Sequence, residues 1–342
     1  MHTVTTIGLD IAKSVFQVHG VDADGLVVIR RQLKRRYVLA FFEKLSPCLV
    51  GIEACASSHH WSRELQALGR TVRLMPPAYV KLYIKSQKND AADAEAICEA
   101  VQRPTMRFVP VKSAEQQAVL LLHRTRDLLI RQRSSLISAM LAHFAEFGIV
   151  IHRRVRDIDR LLLLLGETQE GLPELAREML GIFATQLREI DGRIQVVEAR
   201  LMTWHRSNEV SCRLATIPGV GPITASAIVA TIADARQFKS GRQFAAWLGL
   251  VPQQRSSGGK ERLGGISKRG DGYIRRLMIH GARAIVGWRK RSPRTRDHWI
   301  DGLLGRRHIN VATVALANKS ARVAWALMVR ESSYNHRLAR AA

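Results

Sequence analysis

Short runs of alternating apolar and polar residues open the chain and then give way to helical periods. Val4–Leu9, Val15–Val21 and Leu26–Ile29 read as three strands, with Asp22-Ala23-Asp24-Gly25 as the turn between the last two. The pattern then predicts a helix over Tyr37–Leu45, a strand over Leu49–Glu53, a helix near His60–Leu68 and a strand over Thr71–Met75. A further helix opens at Asp90, so the order is βββαβαβα. Residues 113–148 read as helix with Arg-rich exposed positions. From residue 180 the apolar positions Leu180, Phe183, Leu187, Ile190, Ile194, Val197 and Leu201 recur at alternating spacings of three and four. That heptad pattern marks a coiled-coil seam. It serves an intramolecular hairpin with the 113–148 helix, a dimer, or both. Gly192 inside it weakens the helix by roughly 1 kcal/mol relative to Ala.

Farther on, the run 214–232 places Gly219-Val220-Gly221 between two apolar helical stretches, the pattern of a helix-hairpin-helix. Its free backbone N–H groups suit a phosphate, though the same residues can make an ordinary interhelical turn. Residues 253–276 read as a loop, with six glycines, three serines and seven basic residues. A last helix is expected over about Val311–Val329. The Trp residues are expected in the core rather than as base-stacking platforms, and His59 and His60 as surface groups.

Charge changes this picture. There are 53 Lys+Arg against 29 Asp+Glu, a formal net charge of +24. The excess is uneven: residues 1–112 carry 16 basic and 10 acidic residues, 113–205 carry 12 of each, and 206–342 carry 25 and 7. Such a chain attracts polyanions, and the C-terminal third faces them most strongly. With 46% hydrophobic residues the chain can still bury a core, which excludes global disorder. The cysteines Cys48, Cys55, Cys98 and Cys212 form no CxxC pair, which fits a reduced, cytoplasmic setting, and the polyanion-attracting charge makes a nucleoid-associated location there the expectation. The longest purely aliphatic run, Leu161–Leu165, is too short to span a bilayer, so no membrane is expected.

Against this positive field stand four carboxylates: Asp10, Glu53, Asp90 and Asp93. Two end the first and fourth strands, and two share a helix face at i, i+3. That layout is the one found in the RNase H-like (RuvC-like) fold. Clustered acids repel one another unless a hard, oxygen-loving cation neutralises them, and Mg²⁺ or Mn²⁺ is expected. Metal held by carboxylates within a polyanion-attracting surface points to phosphodiester chemistry.

The motifs Gly8-Leu9-Asp10-Ile11-Ala12-Lys13, Ile52-Glu53-Ala54, Lys88-Asn89-Asp90-Ala91-Ala92-Asp93-Ala94, Ile217-Pro218-Gly219-Val220-Gly221 and Phe244-Ala245-Ala246-Trp247-Leu248-Gly249-Leu250-Val251-Pro252, followed by Ser257-Gly258, occur in this order. Together they resemble the DEDD-type insertion-sequence transposases, which include pilin-gene invertases and bridge-RNA-guided recombinases. The resemblance covers nearly the whole chain. It implies a RuvC-like DEDD domain at 1–112, a helical coiled-coil segment at 113–205, and a mainly α transposase domain at 206–342 with the helix-hairpin-helix and a serine loop. It also implies a metal site at Asp10, Glu53, Asp90 and Asp93 and a nucleophile at Ser257, with Ser256 adjacent. After Glu53-Ala54 the chain departs from the common Glu-Ala-Thr-Gly pattern, with Cys55-Ala56 in place of Thr-Gly.

No His neighbours Ser257, so metal activation of the serine is expected, leaving a phosphoserine link to DNA. Gly219, Gly221, Arg255, Lys260, Arg262, Lys268, Arg269, Arg275 and Arg276 are the expected nucleic-acid contacts. The expected partners are double-stranded donor and target DNA, a guide RNA and further copies of the chain, as a dimer or tetramer. The alternatives are a hydrolytic structure-selective endonuclease using the same acids, and a non-catalytic nucleic-acid-binding protein.

Overall fold

The computed structural model describes residues 3–84, 89–151, 172–289 and 298–334. The aliphatic run Leu161–Leu165 and Lys88 lie outside the described residues. The chain divides into two units, Met1–Gln117 and Ala118–Ala342.

In the first unit the strands are β1 (Thr6–Ile11), β2 (Val15–Val21), β3 (Val27–Lys34), β4 (Leu49–Glu53) and β5 (Thr71–Met75). They form one sheet in the order β3-β2-β1-β4-β5. β1 and β2, and β2 and β3, pair antiparallel, while β1–β4 and β4–β5 are parallel. This mixed sheet is consistent with the expected RNase H-like fold. β3 runs five residues past its expected end, through Arg30, Arg31, Gln32, Leu33 and Lys34. The apolar run stops at Ile29, but an edge strand exposes one side and tolerates polar residues there. β1 likewise extends to Ile11, so Asp10 sits within the strand rather than at its end.

Alternation along the strands assigns the two faces of the sheet. Ile7, Leu9, Val50 and Ile52 point into a core with Val38 and Phe42 of α1 (Val38–Glu43) and Trp61 and Leu65 of α2 (Ser58–Ala67). A short helix, α3 (Pro77–Val80), follows β5. The intervening residues, Gly8 and Gly51, face α4 (Asp90–Val101). A Cβ on Gly8 would lie 2.1 Å from the Ala94 carbonyl oxygen and 2.5 Å from the Cys98 amide nitrogen. Glycine at this position lets the helix rest directly on the strand backbone. Gly8→Ala is therefore expected to push α4 off β1 and destabilise the unit by about 1–3 kcal/mol. Chemical denaturation measures this, and an unchanged midpoint would contradict the packing.

The second unit begins with two long helices, α5 (Ala114–Glu146) and α6 (Glu174–Ser207). They pack antiparallel, because Val119 meets Leu201 at one end while Met140 and Phe144 meet Leu180 and Leu187 at the other. Leu129, Ile190 and Ile194 fill the middle. Arg126–Glu198 and Arg133–Asp191 ion pairs flank the seam at 2.7 and 2.8 Å. The heptad positions therefore pack within one chain, the hairpin arrangement of the two open readings.

After α6 come α7 (Glu209–Leu214), α8 (Pro222–Thr231) and α9 (Gly241–Trp247). A two-stranded ribbon, β6 (Pro252–Gln254) with β7 (Leu263–Ile266), leads into α10 (Gly272–Arg289), α11 (His298–Leu304) and α12 (Ile309–Arg330). Ile228, Phe244, Ile274, Met278, Val286, Leu316 and Ala321 form the core of this helical layer.

The composition-based expectation of a loop over 253–276 needs correction. Its middle is a β-hairpin, and its end, from Gly272, is the first turn of α10. Gly258 and Gly259 both have positive φ, 56° and 73°. That is the backbone of a two-residue type I′ turn, whose twist matches a two-stranded ribbon. The tryptophan expectation also fails in part. Trp61 is core, whereas Trp247, Trp288 and Trp299 are 36%, 56% and 42% exposed.

Candidate active site

Parallel pairing of β1 with β4, in register at Leu9 and Ile52, puts the next residues, Asp10 and Glu53, at the same edge of the sheet. Both have the parity of Gly8 and Gly51, so they face α4. Asn89 starts that helix as its N-cap, its side-chain oxygen accepting a hydrogen bond from the Ala92 amide at 2.7 Å. Asp90 and Asp93 follow in the first turn, where the helix dipole favours negative charge.

The result is a cluster in which Asp10, Asp90 and Asp93 each offer an oxygen within 4.8 Å of the others. Glu53 lies outside this close set but is near enough to act on Asp10 electrostatically. Burial, then Asp93, Asp90 and Glu53, push the Asp10 carboxyl up to about 6. One Asp93 carboxylate oxygen, Oδ1, is buried without a hydrogen-bond partner. A buried, unpaired acceptor is unfavourable unless a ligand completes it. Three hard oxygen donors, one of them orphaned, fit a divalent cation of the Mg²⁺ or Mn²⁺ kind.

This geometry has a measurable consequence for Asp10. A carboxyl with a raised folded-state pKa contributes stability that is fully present below its unfolded value, 3.8. That contribution is lost as pH rises through about 6. In chelator, Asp10→Asn is expected to melt close to wild type at about pH 4 and above it at about pH 7. Added Mg²⁺ should reverse the order at pH 7 by stabilising only the wild type. Thermal melts of both proteins across this pH range, with chelator or Mg²⁺, check this, and a pH-independent difference would contradict it.

In the second unit, Ser257 stands at the exposed tip of the β6–β7 hairpin. Its carbonyl accepts the Lys260 amide at 3.1 Å, closing the turn. Ser256 differs, because its Oγ accepts the Arg262 amide at 3.2 Å. Arg255 and Arg262 face each other across the ribbon, the Arg255 amide donating to the Arg262 carbonyl at 2.8 Å. Lys260 is exposed beside the tip. Lys268 adopts a positive φ of 53°, and its amide donates to the Gly249 carbonyl. The Arg269 backbone packs against Gly249.

Two of the expected phosphate contacts are engaged within the fold. The Arg275 guanidinium donates to the carbonyls of Leu248 and Arg269 at 3.0 and 2.9 Å. Arg276 pairs with Asp127. Gly219 has a φ of 79°, and its backbone rests against Gly281 of α10, so packing by itself requires glycine there. Gly221 is exposed at the N-cap of α8.

Residue types alone did not flag a buried network in the second unit. The His123 ring lies between Tyr273 Oη at 3.1 Å and Ser226 Oγ at 3.2 Å, joining α5, α10 and α8. Burial, then Arg126, push its pKa down to about 4, so the ring is neutral at pH 7. The available signal was a single histidine in an otherwise unremarkable helical pattern.

Both units of the chain resemble known proteins. A family model described as "Transposase" matches residues 7–149, and one described as "Transposase IS116/IS110/IS902 family" matches residues 211–299. A probable family 20 transposase of Pseudomonas aeruginosa is 52% identical over 333 residues, covering 97% of this chain and 98% of that protein. The chain belongs to the DEDD-type insertion-sequence transposases.

The transposase is also 40% identical to the transposase for insertion sequence element IS1111A of Coxiella burnetii, over 98% of this chain and 92% of the relative. It is 39% identical to the transposase for element IS1328 of Yersinia enterocolitica, over 98% and 100%. Membership makes it a DNA-processing enzyme and implies use of a divalent metal, for which the acidic cluster is the candidate site. Among the described residues, no helix is long and apolar enough to cross a membrane.

Proposed function

We propose that this transposase cuts and rejoins DNA strands through Ser257, with Asp10, Glu53, Asp90 and Asp93 holding Mg²⁺. The observation that carries the reading is the convergence of three carboxylates in a chain of net charge +24. A bound divalent cation supplies Lewis-acid stabilisation of charge on the reacting phosphate. The carboxylates fix where that charge is received, and α4, seated on Gly8, fixes the carboxylates.

Ser257 Oγ attacks the scissile phosphorus and gives up its proton to solvent. The bond to the departing strand's oxygen breaks and leaves a free hydroxyl. A hydroxyl of the incoming strand then attacks the phosphoserine and releases the serine. The number of phosphoester bonds is unchanged, so no energy-rich cofactor is needed. The hairpin supports Ser257 in this role over Ser256, whose hydroxyl is already used by the Arg262 amide.

Arg255, Lys260, Arg262, Lys268 and Arg269 on and beside the hairpin, with Gly221 at the start of α8, would grip phosphates. Arg275, Arg276 and Gly219 would act by holding that surface in shape. This equipment grips backbone and offers no base-reading element. The two DNA sites are therefore selected by pairing with a guide RNA, and further copies of the chain assemble the donor and target strands as a dimer or tetramer.

A hydrolytic nuclease remains the second reading, because the acid cluster lies wholly within the first unit and could direct a water without the serine. Purified protein, both DNA sites, Mg²⁺ and the element's non-coding transcript test both. Rejoined strands and a protein–DNA adduct are expected, with site choice following changes in the transcript's pairing segments. Free ends alone would favour the nuclease, and site-specific joining by RNase-treated protein without transcript would remove the guide.

A further inference from the structure

The second unit contains a groove of about 1420 Å³ that none of these assignments uses. It is bounded by α9, the two strands of the serine hairpin, α11 and α12. Its size exceeds the roughly 300–1,000 Å³ of ordinary small-molecule sites. None of the described residues lining it is acidic, whereas Arg242, Lys319, Arg322 and Arg330 are basic. Lys319, Arg322 and Arg330 share one face of α12, so the cations form a row rather than a point.

An aromatic ring accompanies the row. Trp299 lines the groove and is 42% exposed, and the Lys319 ammonium lies 4.8 Å from its ring centroid. Exposed tryptophan beside ordered cations is the pairing that single-stranded nucleic acid uses, with bases stacking and phosphates meeting charge. A duplex hides its base faces and would leave the ring without a stacking partner. Gly265 of β7 also lines the groove, and a Cβ there would meet no protein atom within 4 Å. The fold makes no demand for glycine at that position, whereas close approach of a ligand does.

We infer that this groove binds an unpaired DNA strand flanking the phosphate that Ser257 attacks. The inference rests on the proposed serine chemistry for the identity of the strand. It rests on the groove itself for the binding. The commitment to DNA follows from position, because the groove's wall is the ribbon whose tip carries the serine. A strand lying along Trp299 and the α12 cations passes the foot of that ribbon. Unpaired strands are also what an exchange reaction produces once the first duplex opens.

The test is fluorescence anisotropy of a labelled twelve-nucleotide single-stranded DNA with the full chain, in chelator so that no strand is cut. Trp299→Ala is expected to weaken binding about tenfold to a hundredfold, while Trp299→Phe retains most of it. Lys319→Ala with Arg322→Ala should lower the slope of log affinity against log salt by about 1.4. Gly265→Val should weaken binding with an unchanged melting temperature, which separates filling of the groove from unfolding.

Wild-type affinity in the folded Trp299→Ala protein would overturn the inference, as would preference for duplex or for RNA of the same sequence. Failure of the serine reading is distinguishable. If Ser257→Ala exchanges strands normally while the groove variants lose the oligonucleotide, the serine chemistry falls and the binding site stands. If Ser257→Ala loses exchange while the groove variants bind normally, only the groove assignment falls.

Discussion

Asp93→Ala and Asp10→Ala are expected to reduce strand exchange on the order of a thousandfold or more while leaving DNA binding largely intact. Asp93 has the stronger structural case. Its orphaned buried oxygen has no role in holding α4 to the sheet, so removing it should not loosen the fold. The N-cap that starts α4 belongs to Asn89 and survives the change. Asp10 carries the opposite internal strain, because its neighbours already resist its ionisation. Losing one carboxylate therefore relieves repulsion in the metal-free protein while removing a ligand. The expected signature is an enzyme that melts no lower in chelator, gains less from Mg²⁺, and no longer exchanges strands. Quantified exchange products and filter binding on the same preparations provide the check. Near-normal exchange by either variant, or by wild type in excess chelator, would remove the cluster from the chemistry.

Ser257→Ala is expected to yield no covalent protein–DNA adduct and no rejoined strands, whereas Ser256→Ala retains a substantial part of both. The contrast follows from one hydrogen bond. Ser256 Oγ accepts from the Arg262 amide within the ribbon, so its loss loosens the hairpin by roughly 0.5–1.5 kcal/mol and lowers the rate modestly. Ser257 takes part in the ribbon through its backbone, so alanine leaves the type I′ turn in place. Adduct trapping followed by peptide mapping reads this directly. An adduct on any residue other than Ser257 would sink the assignment. A Ser257→Ala protein that still cleaves and releases only free ends would point to hydrolysis by the acid cluster.

The five-stranded sheet is legible because its signals are local. Alternation in Val15–Val21 and Thr71–Met75 gave those strands their observed bounds, since both lie among buried neighbours on at least one face. Asp10, Asp90 and Asp93 could be grouped because strand ends and a helix start have few ways to meet in such a sheet. The device that makes them meet was less visible. Gly8 reads as one more residue of an apolar run, and only the 2.1 Å clearance to Ala94 explains it. The hairpin looks like a loop in sequence because its glycines and cations obscure a ribbon of short strands. The Gly258-Gly259 pair was the turn signal that composition concealed. Arg275 and Arg276 look like phosphate ligands in sequence because carbonyl partners and Asp127 come from distant segments. Trp299 reads as a core residue like the other tryptophans, since aromatic residues do not reveal which side of a helix a groove will leave open.

The antiparallel pairing of α5 with α6 limits how this protein can change its length. At 1.5 Å per residue the 33 residues of α5 extend about 50 Å. Deleting a single residue from one helix would rotate everything beyond it by about 100° and turn Leu187 or Ile190 toward water. Removing seven residues from each partner at matching heights would shorten the arm by about 10 Å and keep the seam facing inward. Viable length variants of this region should therefore come in paired heptads, so that the arm behaves as a ruler with steps of fixed size.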